Sequence, residues 1–125
     1  MPEKNRPVPL YTTSGSLGGF LYYPNIFNSD GEWIGWVTAN QEVYSVFGSY
    51  VGWLNKDYRI LRKRAEDDDH PNQTPPAAPD RFAPPVLVPL PPLMAEISPS
   101  TIDVLEERPD LLPTRDTFAY MDDVD

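Results

Sequence analysis

Hydrophobic positions in the first half of the chain recur every 16 or 17 residues. An aliphatic residue is followed by an aromatic one, a Gly five positions after the aliphatic, three further residues, then a second Gly, an aromatic and an aliphatic. Leu10-Tyr11, Gly15 and Gly19-Phe20-Leu21 form the first copy, Ile26-Phe27, Gly31 and Gly35-Trp36-Val37 the second, and Val43-Tyr44, Gly48 and Gly52-Trp53-Leu54 the third. Such a unit is too short for a helical repeat. β-branched and aromatic residues around a Gly that accepts positive φ predict a β-hairpin. Asp30-Gly31 is the strongest turn signal, suited to a tight I′ turn; Ser14-Gly15 is fair and Phe47-Gly48 poor. Ile60-Leu61 begins a fourth copy that stops at Arg62-Lys63-Arg64 and the acidic run from Glu66.

Alternation along the second strand of each hairpin places Leu17, Trp33 and Tyr50 on one face with Gly19, Gly35 and Gly52 and with Leu21, Val37 and Leu54. The opposite face receives Phe20, Trp36 and Trp53 with Ile34 and Val51. A Gly at the same mid-strand position in every copy implies close approach of another strand or a ring, with a bend or bulge there. These aromatic-rich hairpins resemble the bacterial 4-fold beta flower domain. The resemblance covers residues 10 to about 62, and it implies a small all-β domain of three to four hairpins around a pseudo-fourfold axis, with no catalytic residues. Pro7-Val8-Pro9-Leu10 is the candidate for the missing strand of the fourth hairpin, restricted to an edge by its prolines.

The second half has a different texture. All 7 Gly and 12 of the 15 aromatic residues precede residue 65, whereas 12 of the 16 Pro follow it. Pro75-Pro76-Ala77-Ala78-Pro79 and the run Pro84 to Pro92 cannot nucleate a helix or complete a ladder, so this stretch is expected to be extended and polyproline-II-like. Pro76 with Pro79 and Pro89 with Pro92 have PxxP spacing, which any Pro-rich spacer meets. Val86, Leu87, Val88 and Leu90 are more apolar than a free linker requires, which favours docking on a partner or on the β-domain. Residues 98–107 carry a helix signature: Ser98 as N-cap, Pro99 at the first position, Ile102 and Leu105 spaced i, i+3, and a stop at Pro109.

Charge sharpens the division: residues 1–64 carry net +2 and residues 65–125 net −11, within a total of −9. Zero Cys and one His exclude disulfide frameworks, thiolate zinc sites and thiol nucleophiles. No nucleophile–base pair is visible, and His70, between three Asp and Pro71, reads as a linker residue. Glu66 to Asp69 lack the spaced ligands of a calcium loop. An acidic total argues against nucleic acid, and no apolar run reaches the ~20 residues of a membrane helix.

The expected architecture is therefore a hairpin domain over 1–64, an acidic and Pro-rich linker over 65–97, and a short helix with an acidic docking peptide over 98–125. The expected function is a non-enzymatic binding or adaptor protein, cytoplasmic, without cofactor or metal. Its tail would dock a protein partner, or a neighbouring copy, through Leu111, Leu112, Phe118, Tyr120 and Met121. Arg59, Arg62, Lys63 and Arg64 would form a basic rim or be neutralised by the tail. The alternative is a small-molecule or carbohydrate module using Trp33, Trp36, Tyr50 and Trp53 as a stacking platform.

Overall fold

Each Gly-centred phrase folds as a hairpin. The computed structural model describes residues 6–65 and 70–116, in which eight antiparallel strands pair in chain order. They are β1 (Val8–Tyr11), β2 (Leu17–Tyr22), β3 (Asn25–Asn28), β4 (Trp33–Val37), β5 (Glu42–Ser45), β6 (Tyr50–Leu54), β7 (Ile60–Lys63) and β8 (Thr101–Asp103). The Tyr23–Pro24 peptide, between β2 and β3, is cis.

The tips of the first three hairpins share one turn. Asn28 N–H donates to Glu32 O at 2.8 Å and Gly31 N–H returns to Asn28 O at 3.0 Å; Thr12–Ser16 and Ser45–Ser49 repeat the pattern. The loop holds three residues with Gly31 in the left-handed region (φ 87°), rather than the two-residue I′ turn suggested by Asp30-Gly31. Phe47-Gly48 makes the same turn. The shared determinant is a short polar side chain at the first position: Asn28 Oδ1 accepts from the Asp30 and Glu32 N–H groups, and Ser45 Oγ from those of Phe47 and Ser49.

Every second strand of these three hairpins carries a bulge beside its mid-strand Gly. Ile26 faces Gly35 but Phe27 faces Trp33, so Ile34 is passed over, as are Gly18 and Val51 in the neighbouring hairpins. The bulge interrupts alternation. Ile34 joins Val37, and Val51 joins Leu54, in one core instead of lying on opposite faces. Gly52 shows why the recurring residue is Gly: a Cβ there would lie 1.9 Å from Leu61 O on β7. The core comprises Leu10, Leu21, Ile26, Ile34, Val37, Val43, Val51, Leu54 and Ile60 with Val104 and Leu112 from the C-terminal segment. Burying each such side chain stabilises the fold by about 1.5–3 kcal/mol.

The strand that completes the fourth hairpin comes from beyond the Pro-rich stretch, and not from residues 7–10, of which Val8, Pro9 and Leu10 pair with β2. Arg62 faces Ile102 and Lys63 faces Thr101. Ser98 and Pro99 do not open a helix. Thr101 N–H donates to Ser98 O at 2.9 Å, so the two residues occupy the first positions of a turn leading into β8. The helix is only α1 (Val104–Glu107), followed by a 3₁₀ turn at Pro109–Leu111. The sheet and core thus draw on residues from both sides of the expected boundary at 64.

Residues 70–97 form no helix or strand, as their prolines dictate, and they pass the hairpin tips in reverse order. Gln73 N–H donates to Gly48 O at 2.9 Å on the third hairpin, and Phe82 N–H to Gly31 O at 3.3 Å on the second. Pro91 lies over Gly15 on the first, and Tyr11 Oη donates to Pro89 O. Gln73, Phe82 and Pro91 are nine residues apart, a span of about 28 Å per step for a polyproline-II chain. A Cβ on Gly31 would lie 2.0 Å from Phe82 O, so this close seat requires Gly for space as well as for φ.

Candidate functional site

A polyproline-II chain has three residues per turn, so side chains three apart share an edge. Leu87, Leu90 and Leu93, spaced three apart, are 86%, 90% and 103% exposed; Val86 is 99% exposed. Val88 is half-buried against the domain, and the exposed Pro91 comes close to it at Gly15. Val88 packs on the Phe20–Phe27–Phe82 cluster and Pro91 on Gly15. The leucine edge spans about 19 Å, from the rise of ~3.1 Å per residue. The segment touches the domain through Val88, the Pro89 carbonyl and Pro91.

The anchor upstream is Phe82, the sole aromatic residue between Tyr58 and Phe118. Its ring stacks on Phe27 at 5.1 Å and meets Phe20 at 5.3 Å. Isolation of one aromatic residue in a Pro-rich stretch was the available signal for this docking. The period-three leucines were the signal for the exposed edge.

The expected stacking platform does not assemble as one surface. Trp36 stacks on Tyr44 at 5.1 Å, and Tyr44 meets Tyr50 edge-on. Tyr50 is in turn covered by His70 at 3.6 Å, with ring planes 12° apart. Trp33 packs instead against the phenylalanine cluster, and its indole N–H donates to Gly35 O. Trp53 is half-buried on β6, opposite Glu42 and Leu61.

Arg59 and Arg62 turn inward, whereas Lys63 and Arg64 are exposed. Arg59 is 2% exposed; it bonds Asp57 through Nε and Nη2 at 3.0 and 2.6 Å, and donates from Nη1 to Thr13 Oγ1 and Ala95 O. Arg62 donates to Val51 O, and Arg64 to Pro99 O and Glu107; Lys63 is exposed. Arg59 and Arg62 are thus engaged within the fold, and Arg64 meets Glu107 at 3.4 Å with both side chains about half exposed. Of the expected docking residues, Leu112 is 4% exposed in the core and Leu111 packs against it. Phe118, Tyr120 and Met121 lie outside the described residues, as do Glu66 to Asp69.

Arg59 also marks where the first and last hairpins meet. Among the described residues no ladder joins β8 to β1; side chains make the connection. Asp103 Oδ2 accepts from Thr13 N and Oγ1 at 2.7 and 2.8 Å, and Glu106 Oε1 from Ser14 N at 3.0 Å. Burial pushes the Asp103 carboxyl above the usual carboxylate range despite the Thr13 donors. At Asp57 burial acts the same way, but the hydrogen bonds and charge of Arg59 outweigh it and hold the carboxyl below its ordinary value.

An antiparallel sheet of sequential hairpins, with one short helix at its end, defines an all-β protein with no helix among the described residues long and apolar enough to cross a membrane. The family model described as 4-fold beta flower protein matches residues 8–104, and the chain belongs to that family. The match runs past the third hairpin through the Pro-rich stretch to β8. No curated protein and no solved structure matches the chain.

Proposed function

We propose that this chain is a non-enzymatic interaction module that presents Leu87, Leu90 and Leu93 to a protein partner. In this reading the four hairpins stand around a pseudo-fourfold axis and serve as a rigid mount, and residues 70–97 are the ligand they carry. The partner would be a domain with an aromatic-lined groove of the kind that accepts polyproline-II segments. The carrying observation is the near-complete exposure of three leucines spaced three apart in a segment that touches the domain through Val88 and the Pro89 carbonyl. Anchoring matters energetically, because a free peptide loses about 0.5–1.5 kcal/mol per rotamer-rich side chain immobilised, plus backbone entropy, on binding. A segment already extended loses less. The proposal moves the docking element away from Leu111 and Leu112, whose apolar surface is used inside the fold.

Affinity capture with the full chain tests it. A partner should be retained by the wild type, released by a free peptide of residues 84–93, and lost when Leu87, Leu90 and Leu93 are all changed to Ser. Equal capture by the triple variant would refute the leucine edge as the docking element.

A further inference from the structure

We propose that the cleft between the tips of the second and third hairpins binds a small aromatic carboxylate, its ring against Trp33 and Phe47 and its carboxylate on Arg115. The cleft has a volume of about 480 Å³, within the range of ligand sites. The Pro-rich segment is hydrogen-bonded to one tip at Gln73 and to the other at Phe82, and the stretch between, Pro75 to Ala78, lines the cleft. Trp33, the buried Val46 and the exposed Phe47 add apolar surface from the sheet. Trp33 is fixed in place, because its indole N–H donates to Gly35 O at 2.8 Å and its ring packs on the phenylalanine cluster. Pro75 and Pro76 carry no N–H to solvate a polar body. A flat apolar ring suits such a lining, since aromatic side chains take stacked and edge-on partners.

Arg115 sets the polar requirement. Among the described residues lining the cleft it alone is charged, and it is exposed, so a ligand seated there has access to it. Arg59, Arg62, Arg64, Arg81 and Arg108 each donate to an acceptor within the fold, whereas Arg115 makes no hydrogen bond or ion pair among the described residues. A guanidinium with its donors unspent takes a carboxylate through two parallel N–H···O bonds, which also orients a planar anion. The adjoining cleft of about 230 Å³ shares Trp33 and Arg115 but adds Glu32, Asp80 and Asp116. Those carboxylates repel an anion, which places the ligand on the Phe47 side of Arg115. The chain as a whole carries a charge of −9, so attraction must come from this one local cation.

The test titrates the full chain at neutral pH with 2-naphthoate and with 2-naphthamide, following the Trp33 indole N–H and the backbone amides of Val46, Phe47, Ala77 and Ala78 by NMR. Naphthoate should move these signals and bind about tenfold more tightly than the amide, which has the same ring without the charge. Arg115→Gln should erase that preference while leaving ring binding, and it has no hydrogen bond in the fold to lose. Lys63→Gln, which removes the same charge from β7, should leave the preference intact, and Phe47→Ala should weaken both probes. Equal affinity of the two probes for the wild type, or tighter binding of the amide, overturns the proposal. So does an absence of shifts at these positions, an undiminished preference in Arg115→Gln, or an equal loss of preference in Lys63→Gln.

Discussion

Phe82 donates its backbone N–H to Gly31 O and lays its ring on Phe27, so one residue of the Pro-rich segment closes both a hydrogen bond and an aromatic stack on the second hairpin. The Phe82 carbonyl oxygen lies 2.0 Å from where a Cβ on Gly31 would stand. The segment is therefore seated by backbone geometry, with a single large side chain as anchor.

Phe82→Ala should destabilise the fold by about 3 kcal/mol, the low end for truncating a buried Phe, because the extended segment can partly collapse onto the gap. Urea unfolding checks this. A change under about 0.5 kcal/mol, the size of an ordinary surface substitution, would mean that the segment does not hold to the sheet.

Gly31→Ala and Gly15→Ala separate conformation from contact. Both residues have positive φ, 87° and 90°, so each substitution carries a left-handed penalty of about 1–2 kcal/mol. Only at Gly31 does the new Cβ meet a backbone oxygen; at Gly15 the nearest atom is a Pro91 carbon at 3.6 Å. Gly31→Ala should therefore cost at least about 1 kcal/mol more, with the excess comparable to other overpacking penalties. Equal melting temperatures would contradict the close seat.

Asp57 and Asp103 should give opposite pH slopes. The Asp57 carboxyl is held below its ordinary value, so its contribution is present above that value and lost as pH falls through the folded one. The Asp103 carboxyl is raised, so the folded state is favoured at low pH and loses stability as pH climbs through the raised value. Asp103→Asn should flatten the loss on the alkaline side of the ordinary carboxylate range, and Asp57→Asn the loss on its acid side. Urea midpoints measured from pH 3 to 7 test both signs. Asp57→Asn should also cost about 3 kcal/mol at neutral pH by leaving the buried Arg59 charge uncompensated, at the low end of such effects because Asp57 is 31% exposed.

Much of the sheet is legible because hairpins are local. The Gly-centred phrase, its bulge and the approach at Gly52 all follow from side-chain patterning within about a dozen residues. The eighth strand is not legible, because Ser98-Pro99 satisfies two motifs, a helix start and the opening of a turn. The choice is made by β7, whose unpaired edge lies far back in the chain. Leu112 reads as an exposed anchor for a similar reason: the core that buries it is supplied by other hairpins. The outward leucines lay within a run already too apolar for a linker, but nothing local separates them from Val88, which packs on the phenylalanine cluster.

The central claim is that residues 84–93 lie on the domain with one edge anchored and the leucine edge free. Paramagnetic relaxation by a soluble nitroxide, read on the methyl groups of the full chain, measures this directly. The account predicts strong broadening of Leu87, Leu90 and Leu93, with Val88 and the core methyls of Ile26 and Val43 protected. Broadening of Val88 to the same degree as the three leucines would show a detached segment and contradict it.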